Sequence, residues 1–217
     1  MIDLHIHTTF SDGALIPAEL IRRLAVAGHK GVALTDHGDP SNIEHIIKGV
    51  ARACREVGKL FGVSAVPGIE LTHTPPSLIS KLTKEARKMG AKIVVMHGES
   101  PVEPVAPGTN SAAIKAGVDI LAHPGLITKS EAELAAGKGV VLEISARKGH
   151  SLANGHVANM ARKTGAKLVI NSDGHAPGDF LTPEFRYRVG RGAGLTEAEY
   201  KKTGKVAGDI LKRALRV

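Results

Sequence analysis

The sequence predicts an α/β fold of seven repeated β/α units around a parallel sheet, on three observations. Short apolar runs alternate with helical patterns along most of the 217 residues. Gly28, Gly90, Gly117 and Gly165 each fall just after a helical stretch and just before a strand-like run, where a left-handed residue ends a helix. Apolar residues make up 42% of the chain but aromatics only 3%, with no Trp. The core must therefore be aliphatic, as in strands buried on both faces, and not that of a β-sandwich.

The seven strands are predicted at residues 2–7, 31–35, 63–70, 92–97, 119–123, 140–145 and 167–173. In the first, alternation should turn Asp3, His5 and His7 one way and Ile2, Leu4 and Ile6 the other. Pro17 suits the first turn of the helix that follows. In residues 41–58, Ile43, Ile46, Ile47, Val50, Ala51 and Cys54 recur at helical spacing, and Ser41 with Glu44 reads as a capping box. Beyond residue 173 the pattern loosens into a Gly- and Pro-containing loop over 176–194, then one or two short helices to 217. With no linker in between, the expectation is one domain over 1–217, its barrel core spanning about 1–175.

Composition narrows the function classes. Cys54 is the single cysteine, so an internal disulfide and a thiolate metal site are excluded, and any metal must be held by nitrogen and oxygen. There is no run of about 18 apolar residues and no leader pattern. A cytoplasmic protein without a membrane partner is the expectation. The formal net charge is +8, much of it on helices and on Lys201, Lys202, Lys205, Lys212, Arg213 and Arg216. A solvated surface is favoured over a nucleic-acid footprint, since no aromatic platform accompanies the charge.

The histidines and acids carry the chemistry. His5 and His7 end the first strand, Asp36 and His37 follow the second, and Glu70 closes the third. His97 ends the fourth and His123 the fifth, while Asp173 and His175 follow the seventh. In a β/α barrel all these ends meet on one face, where the loops build the active site. So many candidate ligands at matching strand ends point to metal binding. His29, His45 and His156 lie in a loop or on helices and are read as structural or surface residues.

The ordered strings HIHTTFSDG, TDH, PGIE, HG, HPG and SDGH, which cover about residues 1–175, resemble the PHP (polymerase and histidinol phosphatase) family. That resemblance implies a distorted seven-unit TIM-like barrel and about three divalent ions, Zn, Mn or Fe. It implies one ion on His5, His7, Glu70 and Asp173, a second on Glu70, His97 and His123, and a third on Asp12, His37 and His175. Asp12 stands where some members carry histidine. Asp36 is expected to orient a ligand from behind.

Six neutral imidazoles and three carboxylates around three dications leave roughly +3 in such a pocket, which attracts phosphate. A bound divalent ion can bring the pKa of its water from about 15.7 to near 7, so the expected nucleophile is a metal-bound hydroxide. Arg147 and His150, in the loop after the sixth strand, are candidate substrate contacts. The first would grip a phosphate oxygen and the second protonate a leaving group. Arg186 and Arg188, in the loop after the seventh strand, are read either as further such contacts or as solvated loop charges. Glu99 and Glu143 are candidate outer partners, Glu143 alternatively an inward strand residue, and residues 101–107 form either a lid or a connector.

The leading expectation is a phosphatase on small phosphate monoesters, of which the resemblance suggests histidinol phosphate first. A phosphodiesterase or exonuclease on nucleotides is the second reading. A non-catalytic RNA-binding barrel similar to the ribonuclease P protein subunit is the third, and a complete ligand set speaks against it.

Overall fold

Aliphatic strands and amphipathic helices alternate along residues 1–216, which the computed structural model describes. The first half runs β1 (Ile2–Ile6), α1 (Pro17–Val26), β2 (Gly31–Leu34), β3 (His37–Gly38), α2 (Ile43–Ala53), β4 (Ser64–Leu71) and α3 (Pro76–Met89). It continues with β5 (Ile93–His97), α4 (Thr109–Ala116), β6 (Ile120–Ala122), α5 (Lys129–Lys138), β7 (Val141–Ser145), α6 (Asn154–Thr164) and β8 (Leu168–Asn171). Helices α7 (Pro183–Gly192) and α8 (Glu197–Arg216) end it. All strands pair in parallel in the order β1-β2-β4-β5-β6-β7-β8, with the two-residue β3 beside β4. The seven predicted strands are the seven of this path. β3 is an addition: it carries the line of β2 past Thr35 and Asp36 and sets His37 opposite Glu70.

The sheet curls into a nearly closed α/β barrel. At its seam, Asp173 N–H donates to His5 O at 3.0 Å and His7 N–H to Gly174 O at 2.9 Å. Lower down, side chains replace the ladder: Asn171 Oδ1 accepts from Leu4 N and Asp3 accepts from Ser172 N. Outward residues such as Val94, Met96, Leu121, Leu142 and Ile144 join the helices in one core, and inward residues such as Ala33, Val66, Ile93, Val95, Ile120 and Val169 form a second. Val206, Ala207, Ile210, Leu211 and Ala214 of α8 belong to the inner core, so this helix stoppers the bottom of the barrel. Gly31 makes room for it, since a Cβ there would collide with Leu211 Cδ2. No helix among the described residues is long and apolar enough to cross a membrane.

Four local expectations need correction. The alternation of β1 is broken by a register shift between Asp3 and Ile6. Leu4 thereby joins the inner core and Ile6 the outer one, while His5 and His7 still face inward. A bulge of this kind re-aims side chains near a site. Helix α2 forms where predicted and buries Ile43, Ile46, Ile47 and Val50, but Ser41 does not cap it. Ser41 instead donates to Asp39 Oδ1 through N–H and hydroxyl, and Asn42 Oδ1 receives Asp39 N–H. The stretch 176–194 is no open loop. Thr182 accepts from Phe185 N–H and starts α7, with Pro183 in its first turn. Within α7, Arg186 points to the bottom of the barrel, against Thr203 of α8, so it is not a contact of the strand-end site.

His29, between α1 and β2, is buried, and burial lowers it from 6.5 to about 4. A histidine lowered on folding takes up its proton more readily when unfolded, so folding is favoured above pH 6.5 and loses that advantage as pH falls towards 4. In chemical denaturation, His29→Leu is expected to show a shallower loss of stability between pH 6.5 and 4, the two proteins diverging by about 3 kcal/mol at most. Parallel pH profiles would contradict this.

Candidate metal centre

The strand ends deliver all nine candidate ligands to one face. Glu70, from β4, lies fully buried at the centre. Its Oε1 is 3.3 Å from His5 Nε2, 3.4 Å from His97 Nδ1 and 3.5 Å from His123 Nε2. Its Oε2 is 2.8 Å from His37 Nδ1 and 3.7 Å from His7 Nε2. Asp173 stands across the cluster, with Oδ1 3.3 Å from His7 Nε2 and Oδ2 3.6 Å from His123 Nε2. Nearer solvent, Asp12 Oδ1 is 3.2 Å from His175 Nε2 and 3.6 Å from His37 Nε2. His123 and Asp173 hold positive φ, 27° and 52°, the kind of backbone strain that collects at functional sites.

Loops are fixed from behind. Asp36 accepts from the N–H and hydroxyl of both Thr8 and Ser11 at 2.7 to 3.1 Å, so it shapes the loop that carries Asp12 and does not orient an imidazole. Phe10 of that loop packs on α2, where a Cβ at Gly49 would overlap its ring. Ala14 N–H donates to His175 O at 2.7 Å and ties the loop to the Asp173–His175 segment. Glu143 is both things expected of it, a buried inward residue of β7 and an outer partner. It accepts from Asn171 Nδ2 at 2.8 Å and His123 N–H at 3.1 Å, and lies 2.9 Å from His5 Nδ1. Glu99 instead exchanges hydrogen bonds with Asn110 and braces the start of α4.

Charge and burial are in tension throughout. Burial pushes Glu70 up, but the imidazoles of His5 and His37 outweigh it and hold the carboxyl well below the usual range. Burial lifts Asp173 to about 7, opposed by His5 and reinforced by Glu70 and Glu143. His7 is held well below its ordinary value by burial and by His37. Most telling are the unpartnered atoms. His5 Nε2, both nitrogens of His7 and His97, His123 Nδ1, both oxygens of Glu70 and Asp173 Oδ2 are buried without a hydrogen-bond partner. Buried polar atoms are rarely left so, and imidazole with carboxylate is a donor set for divalent metals. The residues fit cations.

Ligand atoms within 4.8 Å of one another form the sets His7–Asp12–His37–His175, His5–His7–Glu70, His5–His123–Asp173 and His37–Glu70–His97. The first contains the trio expected for a third ion and adds His7. The other sets divide the remaining ligands differently from the expected partition: His123 joins Asp173, and His37 joins Glu70 with His97.

Arg147 lies beside the cluster. Its Nη1 donates to Asp173 O at 3.2 Å and is 2.7 Å from His175 Nδ1, which also lies 3.0 Å from Asp173 O. His150 stacks on His123 with ring centroids 4.0 Å apart, and its Nδ1 is 2.6 Å from Ser100 Oγ. Burial, with His123 and His97 beside it, lowers His150 to about 3. Arg188 is exposed on α7. His29, His45 and His156 lie outside the cluster: His45 meets Phe10 edge-on, and His156 Nε2 is 2.7 Å from Ile127 O.

Sequence reading overlooked two residues. Glu103, in the proline-rich stretch 101–107, reaches His97 Nε2 at 3.0 Å and the Nε2 atoms of His73 and His150 at 3.3 Å each. His73, at φ 46°, completes a His73–His97–Glu103 set. Glu103 is the single acid in that stretch, and the stretch follows a strand end. That is the signal that could have found it.

Residues 3–101 match the family model described as PHP domain. An uncharacterized protein of Methanocaldococcus jannaschii is 49% identical to this chain over 93% of each. A probable phosphatase of Shewanella frigidimarina is 31% identical over 81% of this chain and 77% of its own length. The chain belongs to the PHP family. The segment matched by the PHP model holds His5, His7, Asp12, His37, Glu70 and His97, while His123, Asp173 and His175 follow it. Among solved structures, a chain in the cryo-EM structure of archaeal ribonuclease P with mature tRNA is similar with a TM-score of 0.74 and 18% identity. The likeness covers 97% of this PHP chain and 90% of that one, and concerns the fold alone.

Proposed function

We propose that this chain is a metal-dependent phosphoesterase that hydrolyses small phosphate monoesters, with about three divalent ions of Zn, Mn or Fe. The observation that carries the reading is the set of buried, unpartnered imidazole and carboxylate atoms at the base of an open pocket of about 400 Å³. A cavity of that size suits a small substrate. His5, His7, Glu70, His97, His123 and Asp173 would hold the inner ions, and Asp12, His37 and His175 the outer one. Such ions supply Lewis acidity and bring the pKa of water from about 15.7 towards 7. The probable phosphatase of S. frigidimarina and the family membership support this chemistry.

The protein's own groups have separable parts. His175 Nδ1 carries a proton whenever Nε2 gives its lone pair to a cation, and it then donates to Asp173 O. Arg147 Nη1 loses an acceptor in that state and is free to turn its guanidinium to a phosphate oxygen. His150 lies buried against His123 and hydrogen-bonded to Ser100, and burial with His123 and His97 beside it favours the neutral imidazole, so its part is to wall the pocket and contact the substrate. Arg147→Ala is expected to lower kcat/KM by about 10- to 100-fold, the value of one or two charge-assisted hydrogen bonds, with metal content unchanged. Steady-state kinetics with elemental analysis check it.

The reading as a whole is tested by elemental analysis together with hydrolysis of an aryl phosphate and a bis-aryl phosphate. About three ions per chain with monoester turnover is the expected result. Turnover of the diester alone would replace it by the phosphodiesterase reading, towards which the +8 charge leans. No metal uptake and no turnover after reconstitution would leave a scaffold.

A further inference from the structure

At the other end of the barrel a cavity of about 500 Å³ opens between the start of β1, the entry to β2, and helices α7 and α8. Ile2, Lys30, Pro183, Arg186, Tyr200 and Ala207 form most of its wall. Arg186 is only 8% exposed. Its guanidinium lies 5.0 Å from the centre of the Tyr200 ring and makes one hydrogen bond among the described residues, from Nη2 to Thr203 Oγ1 at 2.7 Å. The Thr203 hydroxyl spends its own proton on Tyr200 O at 2.7 Å, which turns a lone pair to the guanidinium.

A guanidinium has five N–H donors and keeps its charge at any pH a protein meets. No carboxylate among the described residues lies within 4.0 Å of Arg186 or of Lys30. A largely buried cation without an opposite charge is a costly arrangement. Here the uncompensated donors border a cavity whose rim adds a second cation, while Ile2, Pro183 and Ala207 offer apolar wall. We propose that this cavity is a second ligand site, for a small molecule that carries an oxyanion head, phosphate or carboxylate, on an apolar body. The head sits between Arg186 and Lys30, and the body lies on Ile2, Pro183 and Ala207. Five residues of strand, roughly 16 Å, separate Ile2 from His7, so the site is distinct from the metal centre.

Phenylphosphonate and benzoate serve as probes, since neither has a phosphoester to hydrolyse. Each is titrated calorimetrically into the metal-loaded protein, Arg186→Met, Lys30→Glu and Asp173→Asn. Expected is a site that persists in Asp173→Asn and weakens at least about tenfold in both Arg186→Met and Lys30→Glu, with aryl phosphate turnover of these two unchanged. Lys30 is exposed, so its variant carries the test even if Arg186→Met folds poorly. Tighter phenylphosphonate would mark the head as a phosphate and tighter benzoate as a carboxylate. Binding abolished by Asp173→Asn but kept in the other two would place the probe at the metals and overturn the proposal. Failure of both probes to bind at millimolar concentration would overturn it as well.

Discussion

Glu70→Gln is expected to lower phosphoester turnover by on the order of a thousandfold or more and to strip most of the bound metal, while the circular dichroism spectrum stays that of the folded barrel. The scale follows from the position of the side chain. Replacing an outer partner of a metal ligand already costs about 10- to 100-fold, whereas the Glu70 carboxylate approaches five imidazoles within 3.7 Å. An amide is a neutral, weaker ligand, and its NH2 would face lone pairs that a cation is meant to share. His7→Ala and Asp173→Ala carry the same expectation. Metal content by elemental analysis and turnover of an aryl phosphate, read on the same samples, decide the matter. Full metal and full turnover in any of the three would sink the proposed centre.

Glu143→Gln is expected to weaken metal binding by about 10- to 100-fold without touching a ligand atom. Glu143 offers acceptors to Asn171 Nδ2 and His123 N–H and stands against His5 Nδ1. A carboxylate there keeps the proton of His5 on Nδ1 and leaves Nε2 open towards Glu70. Glu143 uses Oε1 for His5 and Asn171 and Oε2 for His123 N–H, whereas a Gln has one oxygen, so its NH2 must face either His5 and Asn171 or the His123 N–H. Burial lifts the Glu143 pKa, but the charges of His5 and His123 and the hydrogen bonds from His5 and Asn171 together hold it below the usual carboxylate range, so the carboxylate stays ionised. Metal affinity by competition with a chromophoric chelator checks the prediction. Unchanged affinity would reduce Glu143 to a packing residue.

Much of this was legible in the sequence because it depends on period and position along the chain. The strand bounds differ from prediction by no more than two residues, since β-rich aliphatic runs ended by Gly and polar clusters are local signals. All nine candidate ligands converge because strand ends in a β/α barrel must converge. What the sequence did not reveal depends on contacts between remote segments. Nothing local shows that Leu4 and His5 both turn inward, because the shift is forced where β1 meets β2 while β8 lies on its other side. Glu103 reads as one charge in a proline-rich connector until the loop is folded over His97. Arg186 follows a strand end in the chain, but α7 carries it down the outside of the barrel to the opposite pole. Ser41 had the right spacing to Glu44, yet Asp39 competes for its hydroxyl and backbone N–H.

The helical stopper at the base of the barrel bears on the order of events in biosynthesis. Five residues of α8 complete the inner core, and β1, far upstream of α8 in the sequence, is sealed by β8 and lies against α8. Contacts between such distant segments form slowly. Until they form, the nascent sheet is open along one edge and its imidazoles stand on separate, unconstrained strand tips. On the proposed reading cation capture follows ring closure, and a chain cut short before α8 is expected to bind little metal by elemental analysis although it carries every candidate ligand.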